Sequence, residues 1–263
     1  MFEVKKYPHG TFSWADCATT DAAAAKKFYS ELMGWTGVDT PIGEGQVYTI
    51  MQQDGHAVAG VGPLPQAGMP PMWNNYVTVD DVDAMVSKVK DAGGKVIAEP
   101  FDVFDNGRMM GIQDPSGAML SLWQAKSHIG AELVNTPGAM TWNELMTTDP
   151  KAAMDFFGQL FGWTYDPMDM GEMVYNVIMN NGRPNGGIMQ QPPDMAGAPP
   201  FWMVYFSVAD IDAAAEKVKS LGGSIMGDKI VDAGDIGRMA PSTDPQGASF
   251  MLMQSKNPQP WTE

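Results

Sequence analysis

The sequence predicts an α+β protein of two tandem domains, each made of two βαβββ modules, on the strength of three observations. The first is a long repeat: Gly10-Thr-Phe-Ser-Trp14, Phe28, Gly34 and Trp35 return as Gly138-Ala-Met-Thr-Trp142, Phe156, Gly162 and Trp163, each 128 residues later. The second is a slow drift of that register, to 129 for Pro70-Pro71-Met72-Trp73 against Pro199-Pro200-Phe201-Trp202 and to 130 for Gly107-Arg108-Met109 against Gly237-Arg238-Met239. Single-residue loop changes inside a copied domain produce such drift, and the unit is far longer than the roughly 20 to 50 residues of a solenoid repeat. The third is a fainter echo within each half. Trp14-Ala-Asp-Cys-Ala-Thr-Thr-Asp21 and Asn74-Asn-Tyr-Val-Thr-Val-Asp-Asp81 both read as an alternating strand followed by an acidic helix cap. Modules therefore begin near residues 10, 73, 138 and 202, and the domains span 8–126 (modules 10–62 and 73–124) and 136–256 (modules 138–190 and 202–254).

Each element follows from local chemistry. Asp149-Pro150 is an N-cap followed by proline at the first helical position, where a missing N–H costs nothing, and by register Asp21 caps the first helix. Phe28 with Leu32, and Phe156 with Leu160, lie four apart on one helix face, and Gly34 and Gly162 supply the C-terminal stop. Strand candidates follow at 46–51 and 58–61 in the first module, and at 95–98, 108–113 and 118–124 in the second. Asp114-Pro-Ser-Gly117 and Asp244-Pro-Gln-Gly247 place Asp, Pro and Gly where a type I turn wants them, joining the last two strands as a hairpin. Segments 63–72, 125–137 and 191–201 contain Pro and Gly and read as connectors.

Composition narrows the function. A formal charge of −15 argues against nucleic acid, whose binding depends on Lys and Arg neutralising phosphates. No run of 18 apolar residues exists and the N-terminus lacks a signal-peptide core, so no membrane partner and a cytoplasmic location are expected. The single Cys17 lies in a predicted strand and reads as a buried, inert thiol. The 23 methionines are many for 263 residues, and several fall on strand faces, where flexible thioethers either fill core or line an adaptable apolar cavity. His9, His56 and His128 fall in predicted loops or turns and are expected at the surface. Trp35 and Trp163 read as packing residues, and the acidic run 79–83 as a cap with an acidic first turn.

The βαβββ module, the Phe28-Tyr29, Leu32, Gly34 pattern and the Asp-Pro-x-Gly hairpin together resemble the vicinal oxygen chelate superfamily of glyoxalases, bleomycin-resistance proteins and dioxygenases, over about residues 8–255. Trp142-Asn-Glu144-Leu145, Phe161-Gly162-Trp163 and Gly107-Arg108 are similar to a tandem branch often labelled hydroxylases. The resemblance implies curved mixed sheets around a cavity in each domain. It also implies where a metal would sit: metal-dependent members carry a His or Gln/Glu seven residues before the capping Asp, and a Glu seven after the hairpin Asp. Those positions are Trp14, Asn74, Trp142 and Met203 on the first strands, and Ser121 and Met251 on the last. None is a His or carboxylate, so no metal and no cofactor are expected.

Alternation along a strand then lines each cavity, taking Trp14 and Trp142 to face inward as the family ligand does. Asp16, Asn74, Tyr76, Thr78, Ser121 and Trp123 join Trp14; Glu144, Met203, Tyr205, Ser207, Met251 and Met253 join Trp142. A carboxylate in an apolar concavity resists ionisation, which suits Asp16 and Glu144 to acid–base work with Tyr76 and Tyr205 assisting. The alternative is a structural ion pair of each with Arg108 or Arg238, which could equally hold an anionic ligand. Three functions are open. The first is a binder of the bleomycin-resistance kind, holding a small organic molecule through Trp14, Asn74, Ser121, Trp123, Arg108, Trp142, Met203, Met251, Met253 and Arg238. The second is a metal-independent lyase, isomerase or hydroxylase using Asp16 or Glu144. The third is a metal enzyme with displaced ligands. Sequence leaves open whether modules pair within or across halves, and whether the protein is a monomer or a homodimer.

Overall fold

The computed structural model describes residues 2–43, 45–171 and 173–258. The first module runs β1 (Thr11–Thr19), α1 (Ala22–Met33), β2 (Thr36–Gly43), β3 (Gln46–Gln53) and β4 (His56–Pro63). The second runs β5 (Met72–Thr78), α2 (Val82–Asp91), β6 (Lys95–Val103), β7 (Gly107–Gln113) and β8 (Met119–Ala125). The second half repeats the plan as β9 (Met140–Thr147), α3 (Pro150–Phe161), β10 (Thr164–Asp169), β11 (Val174–Asn180) and β12 (Arg183–Gln190). It continues with β13 (Phe201–Ser207), α4 (Ile211–Ser220), β14 (Ser224–Ile225), β15 (Gly237–Thr243) and β16 (Ser249–Ser255). The architecture is α+β, with two tandem domains, each a curved mixed sheet. No helix among the described residues is long and apolar enough to cross a membrane.

The helix boundaries obey the capping chemistry. Asp21, Asp81, Asp149 and Asp210 accept from the backbone N–H groups of Ala24, Ala84, Ala152 and Ala213. Gly34 and Gly162 close α1 and α3 in the left-handed conformation, φ 78° and 72°. The hairpin Asp114 accepts from the N–H groups of Gly117 and Ala118, and Asp244 from those of Gly247 and Ala248. β2 lies outside the predicted strands: it contains Gly37, Pro41 and Gly43, sits at a sheet edge and is mostly exposed, so neither composition nor alternation marks it.

Modules pair within a half. The strand order is β2-β3-β4-β1-β5-β8-β7-β6 in the first sheet and β10-β11-β12-β9-β13-β16-β15-β14 in the second. β1 meets β5 antiparallel and β4 parallel, and β9 meets β13 and β12 in the same way. The hydrophobic cores, by contrast, join modules across the halves. Phe28, Tyr29, Leu32 and Trp35 pack with Phe206, Val218, Phe250 and Leu252 of the fourth module. Phe156, Phe157, Leu160 and Trp163 pack with Val82, Met85, Met110 and Leu122 of the second. One face of each sheet is thereby buried against the other half, leaving the concave faces to carry chemistry.

Polar bonds tie the same seam. Tyr29 donates to the Asp244 carboxylate at 3.0 Å and accepts from the Trp73 indole at 2.9 Å, with the buried Cys17 thiol 3.8 Å from the same carboxylate. Burial, reinforced by Asp244 and Asp16, pushes the Cys17 thiol well above its usual range, in keeping with an inert thiol.

Candidate functional site

The concave face of the first half is organised around Asp16. A register shift in the β1–β5 ladder between Phe12 and Trp14, mirrored on β9 between Met140 and Trp142, precedes the inward-facing residues of each first strand. Cross-strand register then sets Trp14 beside Tyr76, Asp16 beside Asn74 and Gly60, Tyr76 beside Ser121, and Thr78 beside Trp123. Asp16 is buried and its carboxylate accepts three bonds. One oxygen takes the hydroxyls of Tyr76 at 2.8 Å and Tyr48 at 3.0 Å; the other takes the Asn74 amide at 2.8 Å. The Trp14 indole donates to the Tyr48 oxygen at 3.0 Å, and Ser121 stands beside Tyr76 on the neighbouring strand. Burial pushes the Asp16 pKa up, opposed by the bonds from Asn74, Tyr76 and Tyr48.

The second half repeats the plan with different chemistry. Trp142 stands beside Tyr205, Glu144 beside Met203 and Gly187, Tyr205 beside Met251, and Ser207 beside Met253. The phenols of Tyr175 and Tyr205 stand beside Glu144 and favour its ionised form, and the Trp142 indole donates to Tyr175 at 2.8 Å. Burial raises the Glu144 pKa, opposed by those two tyrosines. All four phenols, Tyr48, Tyr76, Tyr175 and Tyr205, are pushed well above their ordinary range, first by burial and then by the adjacent carboxylate. Each is therefore a neutral donor at physiological pH.

Tyr48 and Tyr175 escape a reading of the sequence that follows only first and last strands. They lie on β3 and β11, reaching over the parallel neighbours β4 and β12 toward the carboxylate. Their signal is present nonetheless: Val47-Tyr48 and Val174-Tyr175 recur 127 residues apart, and each faces a glycine, Gly60 or Gly187, where a Cβ would overlap the tyrosine hydroxyl.

Arg108 and Arg238 stand apart from both carboxylates. Arg108 makes a two-pronged bond to Asp83, at 2.8 and 2.9 Å, and lies 3.6 Å from Asp102; Arg238 grips Asp212 at 2.6 and 2.9 Å. The alternative of ion pairs from Asp16 and Glu144 to these arginines is thus not realised: Asp16 is held by two tyrosines and an amide, and Glu144 stands beside two tyrosines. β7 and β15 turn the guanidinium toward the acidic first turn of α2 or α4, where the helix dipole already favours the carboxylate. Nor is His128 a free surface residue. Its ring packs edge-on against Trp14, centroids 4.6 Å apart, and near Trp123 at 6.0 Å, while its carbonyl accepts from the Trp123 indole at 2.9 Å. Burial lowers its pKa, against the pull of Glu132.

The positions that hold a metal in metal-dependent relatives do not fit one here. Asn74 is bonded to Asp16 and Ser121 stands beside Tyr76, and their companions are an indole in each half and the thioethers of Met203 and Met251. Such a set lacks the imidazole and carboxylate donors of a divalent O/N site. Among the described residues, no group of three or more His, Cys, Asp or Glu side chains is placed to hold a metal ion.

Comparison with known proteins agrees with the fold. The family model described as Glyoxalase/Bleomycin resistance protein/Dioxygenase superfamily matches residues 11–122 and 127–252. The chain is 44% identical over 254 residues to "Putative glyoxylase CFP32" of Mycobacterium tuberculosis, covering 95% of this chain and 96% of that one. It is 34% identical over 272 residues to "Anthracycline biosynthesis protein DnrV" of Streptomyces peucetius, covering 97% of each. Among solved structures, a Mn(II)-bound glyoxalase from Novosphingobium aromaticivorans superposes with a TM-score of 0.66 at 16% identity, covering 99% of this chain and 87% of that one. The duplicated module plan, the hairpins and these matches agree, and the chain belongs to the glyoxalase/bleomycin resistance protein/dioxygenase superfamily.

Proposed function

We propose that this protein binds a small organic molecule on the concave faces of its sheets, without the metal site of its metal-dependent relatives. One observation carries the reading: Trp14, Asn74, Ser121, Trp142, Met203 and Met251 occupy the metal-donor positions, and each set surrounds a buried carboxylate clasped by two tyrosines. Indole and thioether groups offer an adaptable apolar surface, and the carboxylate–tyrosine cluster offers a polar anchor, the combination typical of small-molecule sites. The acidity of the chain favours such a partner over nucleic acid.

A second reading has its own support. A carboxyl group whose pKa burial raises, beside neutral phenols, is suited to general acid–base catalysis, so Asp16 or Glu144 would serve a metal-independent lyase, isomerase or hydroxylase. CFP32 carries a glyoxylase name and DnrV an anthracycline biosynthesis name, and both belong beside these readings as guides to the compounds worth testing.

The test is a thermal-shift and calorimetric screen of the purified full chain against neutral aromatic, quinone and α-ketoaldehyde compounds, with elemental analysis of the same preparation. Binding that survives Asp16→Asn or Glu144→Gln with turnover lost supports the enzyme; binding with no turnover in the wild type supports the binder. Stoichiometric manganese, zinc, nickel or iron would overturn both.

A further inference from the structure

The two carboxylate clusters share one plan but are not chemically equivalent, and the differences point in one direction. In the first half the amide of Asn74 fills one oxygen of Asp16 while two tyrosines fill the other. In the second half Met203 stands where Asn74 stands, and a thioether has no N–H to give, so among the described residues Glu144 has the phenols of Tyr175 and Tyr205 as its polar neighbours and no amide. A carboxyl group has about four acceptor sites when ionised, and a proton to donate when it is not. In either state Glu144 has unused hydrogen-bonding capacity that Asp16 has already committed to Asn74.

The surroundings differ in the same sense. The segment joining the halves lays His128 over the Trp14 and Trp123 rings, which are only 4% and 6% exposed. Nε2 of His128 is buried there without a partner among the described residues, but it lies against these indoles. The first half has half-buried Met72 and Met109 at the positions of Phe201 and Met239, but its central groups are polar and engaged, Asn74 with Asp16 and Ser121 beside Tyr76. In the second half Met203, Tyr205 and Met251 form a separate apolar cluster, bordered by the half-buried Trp142, Phe201, Met239 and Met253. The half-buried Met253 replaces the buried Trp123, and Trp142 is more open than Trp14, so the accessible rim of this half, Trp142, Phe201, Met239 and Met253, is aromatic and sulfur-rich, with Glu144, Met203 and Met251 buried beneath it. The repeated guanidinium of this half, Arg238, is already held by Asp212.

We infer that the Glu144 face of the second half is the ligand site, and that it takes an uncharged, flat aromatic molecule bearing a hydroxyl group. The inference rests on the small-molecule reading above and deepens it. The ring lies on the methionine and indole rim, where sulfur–aromatic contacts favour it. The hydroxyl bonds Glu144 in the place that Asn74 takes on Asp16, and a hydroxyl can serve as donor or acceptor whichever protonation state Glu144 holds. An anion is disfavoured by Glu144 and by the net charge of −15.

The experiment uses the full-length protein with ¹³C-methyl methionine labelling, titrated separately with 2-naphthol, naphthalene and 2-naphthoate. The expected result is that 2-naphthol shifts the methyl signals of Met203, Met251 and Met253 and leaves those of Met72 and Met109 in place. Naphthalene and 2-naphthoate should bind about tenfold more weakly or worse, the loss of one hydrogen bond to a charged or buried group. Met203→Asn, which supplies the amide found in the first half, should weaken 2-naphthol by a similar factor. Shifts confined to Met72 and Met109, or affinity kept in Met203→Asn, would overturn the assignment to the second half while leaving small-molecule binding intact. Equal or tighter binding of 2-naphthoate, or no methionine shift with any of the three probes, would overturn the ligand class. The broader reading fails only if the wider screen and its elemental analysis also go against it.

Discussion

Trp35 donates its indole N–H to the carbonyl of Gly138 at 2.7 Å, and its repeat partner Trp163 donates to Gly10 at the same distance. Each bond joins the loop after a helix in one half to the turn that opens the first strand of the other. The pair is reciprocal, as the exchange of equivalent positions across a twofold-like seam requires, and both indoles are buried. The seam fixes how the two sheets stand back to back, and so which faces are left to hold Asp16 and Glu144.

Trp35→Phe should destabilise the protein by about 1–3 kcal/mol, because the buried Gly138 carbonyl loses its indole donor, and Trp163→Phe should cost less, because the Gly10 carbonyl keeps the Asn185 amide at 2.9 Å. Urea denaturation followed by tryptophan fluorescence and by circular dichroism measures this. Since the cores join modules 1 with 4 and 2 with 3, both probes should report one shared transition in wild type and variants; two separated transitions would show that the halves fold independently.

Gly60→Ala and Gly187→Ala should each cost about 1–3 kcal/mol by overpacking, since the new methyl falls on the hydroxyl of Tyr48 or Tyr175. The tyrosine must swing away from the carboxylate, breaking its bond to Trp14 or Trp142. A crystal structure of either variant with the tyrosine unmoved would refute this account of the glycine.

The pH dependence of stability has a definite sign. Glu144 has a folded pKa raised above its ordinary value of 4.5, so its contribution is fully present below about that pH and is lost as pH rises through the folded value. Relative to Glu144→Gln, the wild type should therefore lose stability with rising pH across that window, and Asp16 against Asp16→Asn should behave likewise from its ordinary value of 3.8 upward. Denaturation midpoints from pH 4 to 8 provide the comparison, and a flat or opposite trend would sink the claim.

Arg238→Gln and Arg108→Gln should leave ligand affinity unchanged and shift the melting temperature only slightly, because each arginine is committed to an exposed aspartate away from the carboxylate clusters. Calorimetry with any ligand found by screening decides it: an affinity loss on a par with Glu144→Gln would return the arginines to the site.

Much of the site was legible because strand alternation and a 128-residue repeat are both periodic signals. Trp14, Asp16, Asn74, Tyr76 and Ser121 share a face as period-two spacing requires, and Trp142, Glu144, Met203, Tyr205 and Met251 follow by register. Tyr48 and Tyr175 were not legible that way, since they arrive from strands two places across the sheet and are recognised only beside the glycines they cover. The arginines mislead for the opposite reason: a repeated Gly-Arg reads like a ligand grip, whereas its partner is a helix-capping neighbour, Asp83 or Asp212, chosen by which side of β7 and β15 faces the helix.

Sequence by itself determined the module plan, the capped helices and the hairpins, because these depend on spacing along the chain and on what each residue type can donate or accept. Only the tertiary structure decided that sheets pair within halves while cores pair across them, that two tyrosines close on each carboxylate, and that His128 covers one face. Those outcomes depend on which surfaces meet once apolar area is withdrawn from water, and distance along the chain carries no record of that.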